Sequence, residues 1–195
     1  MDSLNLYKKI NIPEIFYSTM TNQPFTNCTA CDTYLLDDED YLIEKAFKHN
    51  KKYNTTDVIF EYAMCFDCFE DVYSSLSEES RSRLEEYYRN NVDFAERRQR
   101  NFAQKELDTS HWLSHCLIKN TSMDSEEEYQ IAGEFLGNKI VLHDFPFALS
   151  EKALEDMVQL LSNKTIDQLD DFSGEYLGPP PEFADFFKKK RILII

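Results

Sequence analysis

Two Cys-x-x-Cys pairs, Cys28-Thr29-Ala30-Cys31 and Cys65-Phe66-Asp67-Cys68, constrain what this chain can fold into more than any other feature. Each spacing lets a tight turn aim two sulfurs at one point, and two such turns supply the four thiolates that tetrahedral zinc prefers. The four sulfurs, far apart along the chain, are therefore expected to meet around a single ion. Iron fits the same ligands, so zinc is the expected metal and iron the alternative occupant. Four protein ligands leave no coordination position for water, which makes the expected site structural and excludes Lewis-acid hydrolysis there. Core cysteines, or disulfides in an exported chain, are the competing readings. A thioredoxin-like dithiol expects one pair beside a βαβ pattern, an arrangement this sequence lacks.

The flanking residues strengthen the metal reading. Val58, Phe60, Tyr62 and Met64 alternate as in a strand entering the second pair, and Phe69, Val72 and Tyr73 then recur with helical spacing. A helix start favours thiolate over thiol, and its N–H groups can bond the sulfurs. From Phe25 to Tyr73 this pattern resembles zinc-ribbon and treble-clef modules, in which a loop pair meets a second pair at a strand end or helix start. The chain departs from them in the long segment between Cys31 and Cys65, and neither Cys31 nor Cys68 is followed by the Gly common in zinc knuckles.

Composition bounds the rest. The 195 residues include 15 Phe and 11 Tyr, enough apolar surface for a folded core. Acidic residues outnumber basic ones 36 to 21, a net charge of -15, so the molecule repels phosphate backbones and anionic lipid surfaces at long range. No membrane association and no general nucleic-acid binding are expected. Met1 to Ile10 lack a secretory pattern, and no apolar run approaches the roughly 20 residues that cross a bilayer. Cytoplasmic localisation follows, where paired cysteines favour metal over disulfide.

Further along, a short helix limited by Pro13 is expected near the N-terminus, and one long helix from about Glu78 to Lys105, capped by Ser77. Leu113 to Ile118, Tyr129 to Leu136 and Lys139 to Phe145 read as three strands, the last two joined by a tight turn at Gly137 and Asn138. Ser150 caps one expected helix, and Thr165 with Gln168 resembles a capping box for another. The fold class is α+β: a zinc-stabilised N-terminal module, a long helix, and a C-terminal antiparallel sheet with helices. The division falls softly at residues 1–107, the zinc-binding module with the long helix, and 108–195, an α+β domain, with a single fused domain as the alternative.

Other candidate residues have plainer explanations. His111 and His115 stand four apart beside Cys116, but a strand there would separate the imidazoles. His143 and Asp144, adjacent in a strand, point to opposite faces. The runs Asp37 to Asp40 and Glu126 to Glu128 lack the spacing of a calcium loop. Lys48 to Lys52, Arg97 to Arg100 and Lys188 to Arg191 are basic clusters that a nucleic-acid-binding zinc protein would use, with acidic runs close by. Phe183, Phe186, Phe187 and Ile192 to Ile195 form an apolar terminal segment suited to self-docking or to a partner. No common catalytic signature is present. The functional expectation is a noncatalytic, intracellular, zinc-stabilised interaction or scaffold protein with a protein partner. An enzyme with an unrecognised C-terminal active site and a nucleic-acid-binding zinc protein are the alternatives.

Overall fold

Alternating bulky residues build the two longest strands, β2 (Asp40–Asn50) and β3 (Thr55–Cys65), which pair as an antiparallel hairpin with a bulge between Ala46 and Phe47. The computed structural model describes residues 7–104 and 107–177. With β1 (Lys8–Asn11), β4 (Glu128–Leu136), β5 (Lys139–Leu142) and β6 (Phe147–Ser150), this hairpin forms one six-stranded antiparallel sheet. Its order is β1-β5-β4-β2-β3, and β6 pairs with β4 beyond the end of β5. Among the described residues, six α-helices complete an α+β fold: α1 (Phe66–Ser75), α2 (Glu78–Asn91), α3 (Phe94–Phe102), α4 (Ser110–Leu113), α5 (Glu151–Val158) and α6 (Asn163–Tyr176).

Tyr41 to Phe47 of β2 are all buried, so the middle of the sheet is covered on both faces. On one face Phe16 meets Phe135 edge-on, with centroids 5.2 Å apart, and Tyr41 stacks on Phe135 at 5.1 Å. A Cβ on Gly133 would come within 3.0 Å of both Phe rings, which is why β4 carries glycine there. On the other face Tyr62 meets Phe172 of α6, and the Tyr88 hydroxyl of α2 donates to Met157 Sδ of α5. A single apolar cluster runs from Ile12 to Phe172.

Several expectations shift. The expected long helix is two helices, because Val92 is extended and Asp93 caps α3 by accepting from Glu96 N–H at 2.9 Å. Asp93 to Glu96 is a capping signal inside an otherwise helical run, and it outcompetes continuation through Asn90, Asn91 and Val92. Leu113 to Ile118 is not a strand: α4 occupies its start, and only Cys116 bridges to β6, at Ala148. The expected strand from Lys139 to Phe145 stops at Leu142, since the chain bends at His143 and Asp144. The N-terminal helix is instead strand β1 and a short 3₁₀ turn over Glu14–Phe16. The sheet is drawn from both sides of Asp108, with β2 against β4 and β1 against β5. Lys188 to Arg191 and the apolar terminal segment lie outside the described residues.

Helix caps also tie the layers together. Ser77 caps α2 and Ser162 caps α6, the latter three residues before the expected cap at Thr165. Ser77 N–H donates to Thr165 Oγ1 at 3.1 Å, and Ser162 N–H donates to Ser80 Oγ at 2.8 Å. Each helix start thus completes the other, answering backbone donors that no intrahelical partner reaches. Ser162→Ala is expected to lower stability by about 1–2 kcal/mol, read from urea unfolding. A change below a few tenths of a kcal/mol would show that the crossed caps contribute nothing.

Glu44 sits on the helix-covered face of β2, 4% exposed, with Oε2 lacking a hydrogen-bond partner among the described residues. Burial raises its pKa from 4.5 to about 8, moderated by the facing Tyr62 hydroxyl. The folded chain keeps this proton in a range where the unfolded chain has lost it. Stability contributed by the neutral carboxyl is therefore complete below about pH 4.5 and declines as pH rises toward 8. Its slope approaches 1.4 kcal/mol per pH unit between those values. Glu44→Gln is expected to flatten this dependence, measured as urea midpoints from pH 5 to 8. Parallel pH profiles for the two proteins would contradict the assignment.

Candidate metal centre

The first cysteine pair sits at the tip of a small loop closed by backbone bonds from Leu35 N to Thr26 O and from Cys28 N to Thr33 O, both 2.8 Å. Asp32 takes a left-handed conformation, φ 63°, one residue after Cys31. Aspartate tolerates this region better than most residues, so it fills the position where knuckles commonly place glycine. Asn27 Nδ2 donates to Asp32 O at 2.9 Å and braces the turn.

The second pair sits at a strand-to-helix junction. Cys65 is the last residue of β3 and the N-cap of α1, and Cys68 lies in the first helical turn. The long segment between the pairs is absorbed by the β2–β3 hairpin, which leaves the cluster and returns to it. The loop is fastened to β3 by a reciprocal pair: Thr29 N–H donates to Ala63 O at 2.8 Å, and Ala63 N–H donates to Thr29 Oγ1 at 3.2 Å. This reciprocal pair, made by a residue inside the first Cys-x-x-Cys, brings the two pairs together.

Sγ atoms of Cys28, Cys31, Cys65 and Cys68 all lie within 4.8 Å of one another, and those of Cys31 and Cys65 are 3.6 Å apart. Tetrahedral zinc with bonds near 2.3 Å requires sulfurs about 3.8 Å apart, whereas a disulfide requires about 2.05 Å. The spacing fits a shared ion, and the donor set is that of zinc or a similar metal. Cys28 and Cys65 are buried in the apolar cluster, Cys68 is partly buried and Cys31 is exposed. The site is thus walled on its inner side and open to solvent at one sulfur.

Electrostatics favour a cation. Thr33, by its hydroxyl and then its backbone N–H, lowers the Cys31 pKa to about 6. Burial raises Cys65 to about 11, and burial together with the sulfurs of Cys31 and Cys65 pushes Cys68 higher still. Adjacent thiolates repel each other, so ionising one opposes the next; a divalent ion among them reverses that sign. Cys65 N–H also points to Cys28 Sγ at 3.5 Å.

Other candidates resolve differently. Among the described residues, these four cysteines are the one His/Cys/Asp/Glu group that converges as metal ligands do, so His111, His115 and Cys116 do not form a second centre. His143 Nε2 lies 2.9 Å from Glu134 Oε2, Asp144 pairs with Arg98, and His143 Nδ1 both accepts from Asp144 N–H and lies 3.8 Å from Asp144 Oδ2. The two residues are therefore not set apart on opposite faces as expected but join Glu134 and Arg98 in one chain of ion pairs. Lys48 pairs with Glu128 and Lys51 with Glu127. Arg97 is 7% exposed and faces inward, so these two basic clusters offer fewer free cations than their sequences suggest. No helix among the described residues is long and apolar enough to cross a membrane.

No protein-family model, curated protein or solved structure matches the chain.

Proposed function

We propose that Cys28, Cys31, Cys65 and Cys68 hold one structural zinc ion in a treble-clef-like module, and that the chain acts as a noncatalytic interaction or scaffold protein inside the cell. The convergence of four sulfurs within 4.8 Å carries this reading. A knuckle loop, a hairpin and a helix whose first turn supplies the second pair is the order of parts in that module class. Four protein thiolates fill a tetrahedral sphere, so zinc there cross-links the loop of residues 26–35 to the β3–α1 junction and offers no position to a substrate. Free thiols held this close suit a reducing compartment.

The interaction role draws on the surface of the same half. Met20 is 93% exposed at the tip of a loop closed by the Ser18–Gln23 bridge, and Tyr34 is 49% exposed beside the knuckle. Ser18 and Thr19 anchor the Met20 loop to Glu61 of β3. Large apolar side chains held out on braced loops suit protein contacts.

Elemental analysis of the purified protein is expected to find about one zinc per chain. Metal-free protein of unchanged stability would remove the structural-ion reading. Met20→Glu with Tyr34→Glu is expected to leave the thermal midpoint in place and to abolish co-purification of a partner from native cells. Equal partner recovery by that variant would count against this surface.

A further inference from the structure

A cleft of about 300 Å³ lies between α3, α4 and the turn of residues 114–120, away from the cysteine cluster. We propose that it binds a small phosphate-bearing ligand, either free phosphate or a phosphate monoester. Arg100, Gln104, His111, His115 and Asn120 line it, and among the described residues no Asp or Glu does, although 36 of the 195 residues are acidic. Arg100 has no ion-pair partner among the described residues.

The wall behind these side chains carries a buried positive charge. Arg97 gives its hydrogen bonds to three neutral carbonyls: Asp144 O at 2.8 Å, Pro146 O at 2.7 Å and Trp112 O at 3.2 Å. The Asp144 carboxylate, whose field reaches Arg97, is bound to Arg98. Asp108, whose field reaches His111, accepts from both Ser110 N–H and Ser110 Oγ. Burial and then the field of Arg100 lower the Arg97 pKa to about 10, against the smaller opposing field of Asp144, so two like charges share this corner. A buried charge is costly unless an opposite one answers it, and a phosphate at the cleft would answer Arg97 and Arg100 together. Guanidinium, imidazole and amide N–H groups are the donors such an oxyanion accepts from. The size sits at the small end of ligand pockets. The net charge of -15 opposes a long polyanion far more than a small dianion.

Trp112 is the single tryptophan; it lines this cleft and its ring lies 5.0 Å from the Arg97 guanidinium, so its fluorescence reports on the site directly. The test is titration of the full chain with inorganic phosphate and with glycerol 3-phosphate at constant ionic strength, and with sodium chloride as control. A saturating change is expected from one or both phosphates and not from chloride. Saturation by phosphate alone assigns the free ion, and saturation by the ester assigns a monoester. Arg100→Gln and His115→Gln, both at exposed positions, are expected to weaken the response about tenfold or more each. Arg83→Gln, on α2, should leave it unchanged. The proposal is overturned if neither phosphate saturates, if chloride gives the same change, or if Arg100→Gln binds as the parent does. Binding of single-stranded RNA in preference to both small probes would overturn it as well.

Discussion

Cys65→Ser is expected to lose the bound metal and roughly 5 kcal/mol of stability, lowering the thermal midpoint by about 10–20 °C. Cys65 is 2% exposed, ends β3 and begins α1, so its sulfur joins strand, helix and knuckle at one atom. Without the ion, the loop of residues 26–35 keeps its own turn bonds and the Thr29–Ala63 pair, while the remaining thiols no longer share a cation. Chelation of the parent protein should reproduce the shift, and zinc should reverse it in the parent and not in the variant. A Cys65→Ser protein that retains stoichiometric zinc and melts with the parent would show that these sulfurs do not hold the fold together.

Arg97→Met is expected to cost roughly 3–5 kcal/mol, because three buried or partly buried carbonyls lose their donor at once. Those carbonyls belong to Trp112 in α4 and to Asp144 and Pro146 between β5 and β6, so one guanidinium joins α3 to two distant segments. Arg97→Lys should recover only part of the loss, since a single ammonium cannot reproduce a planar fork aimed at three acceptors. Urea unfolding of the two variants measures both effects, and values within 0.5 kcal/mol of the parent would mean that water replaces the guanidinium without penalty.

Arg97 also shows where pattern reading stops. In the sequence it stands among Arg98, Gln99 and Arg100 and looks like part of a solvated basic face. Its fate depends on carbonyls far along the chain, and nothing local distinguishes it from Arg100 three residues away. The break between α2 and α3 is different: Asp93 and Glu96 carry a capping signal that helical periodicity on either side conceals. The cap at Ser162 is likewise local, displaced from Thr165 because Thr165 faces Ser77 on another helix.

The four cysteines that converge, the strand running into Cys65, the helix following it, the Gly137–Asn138 turn and the caps at Ser77 and Ser150 were all readable from residue order. Each depends on groups a few positions apart, whose geometry the backbone settles locally. Tertiary structure alone decided that β2 pairs with both β3 and β4, which merges the cysteine-bearing half and the C-terminal strands into one sheet and buries Glu44. It also decided that Thr29 docks on Ala63, that Asp32 stands in for glycine, and that Arg97 turns inward. These outcomes follow from which distant surfaces exclude water together, a competition among long-range pairings that a local pattern does not encode.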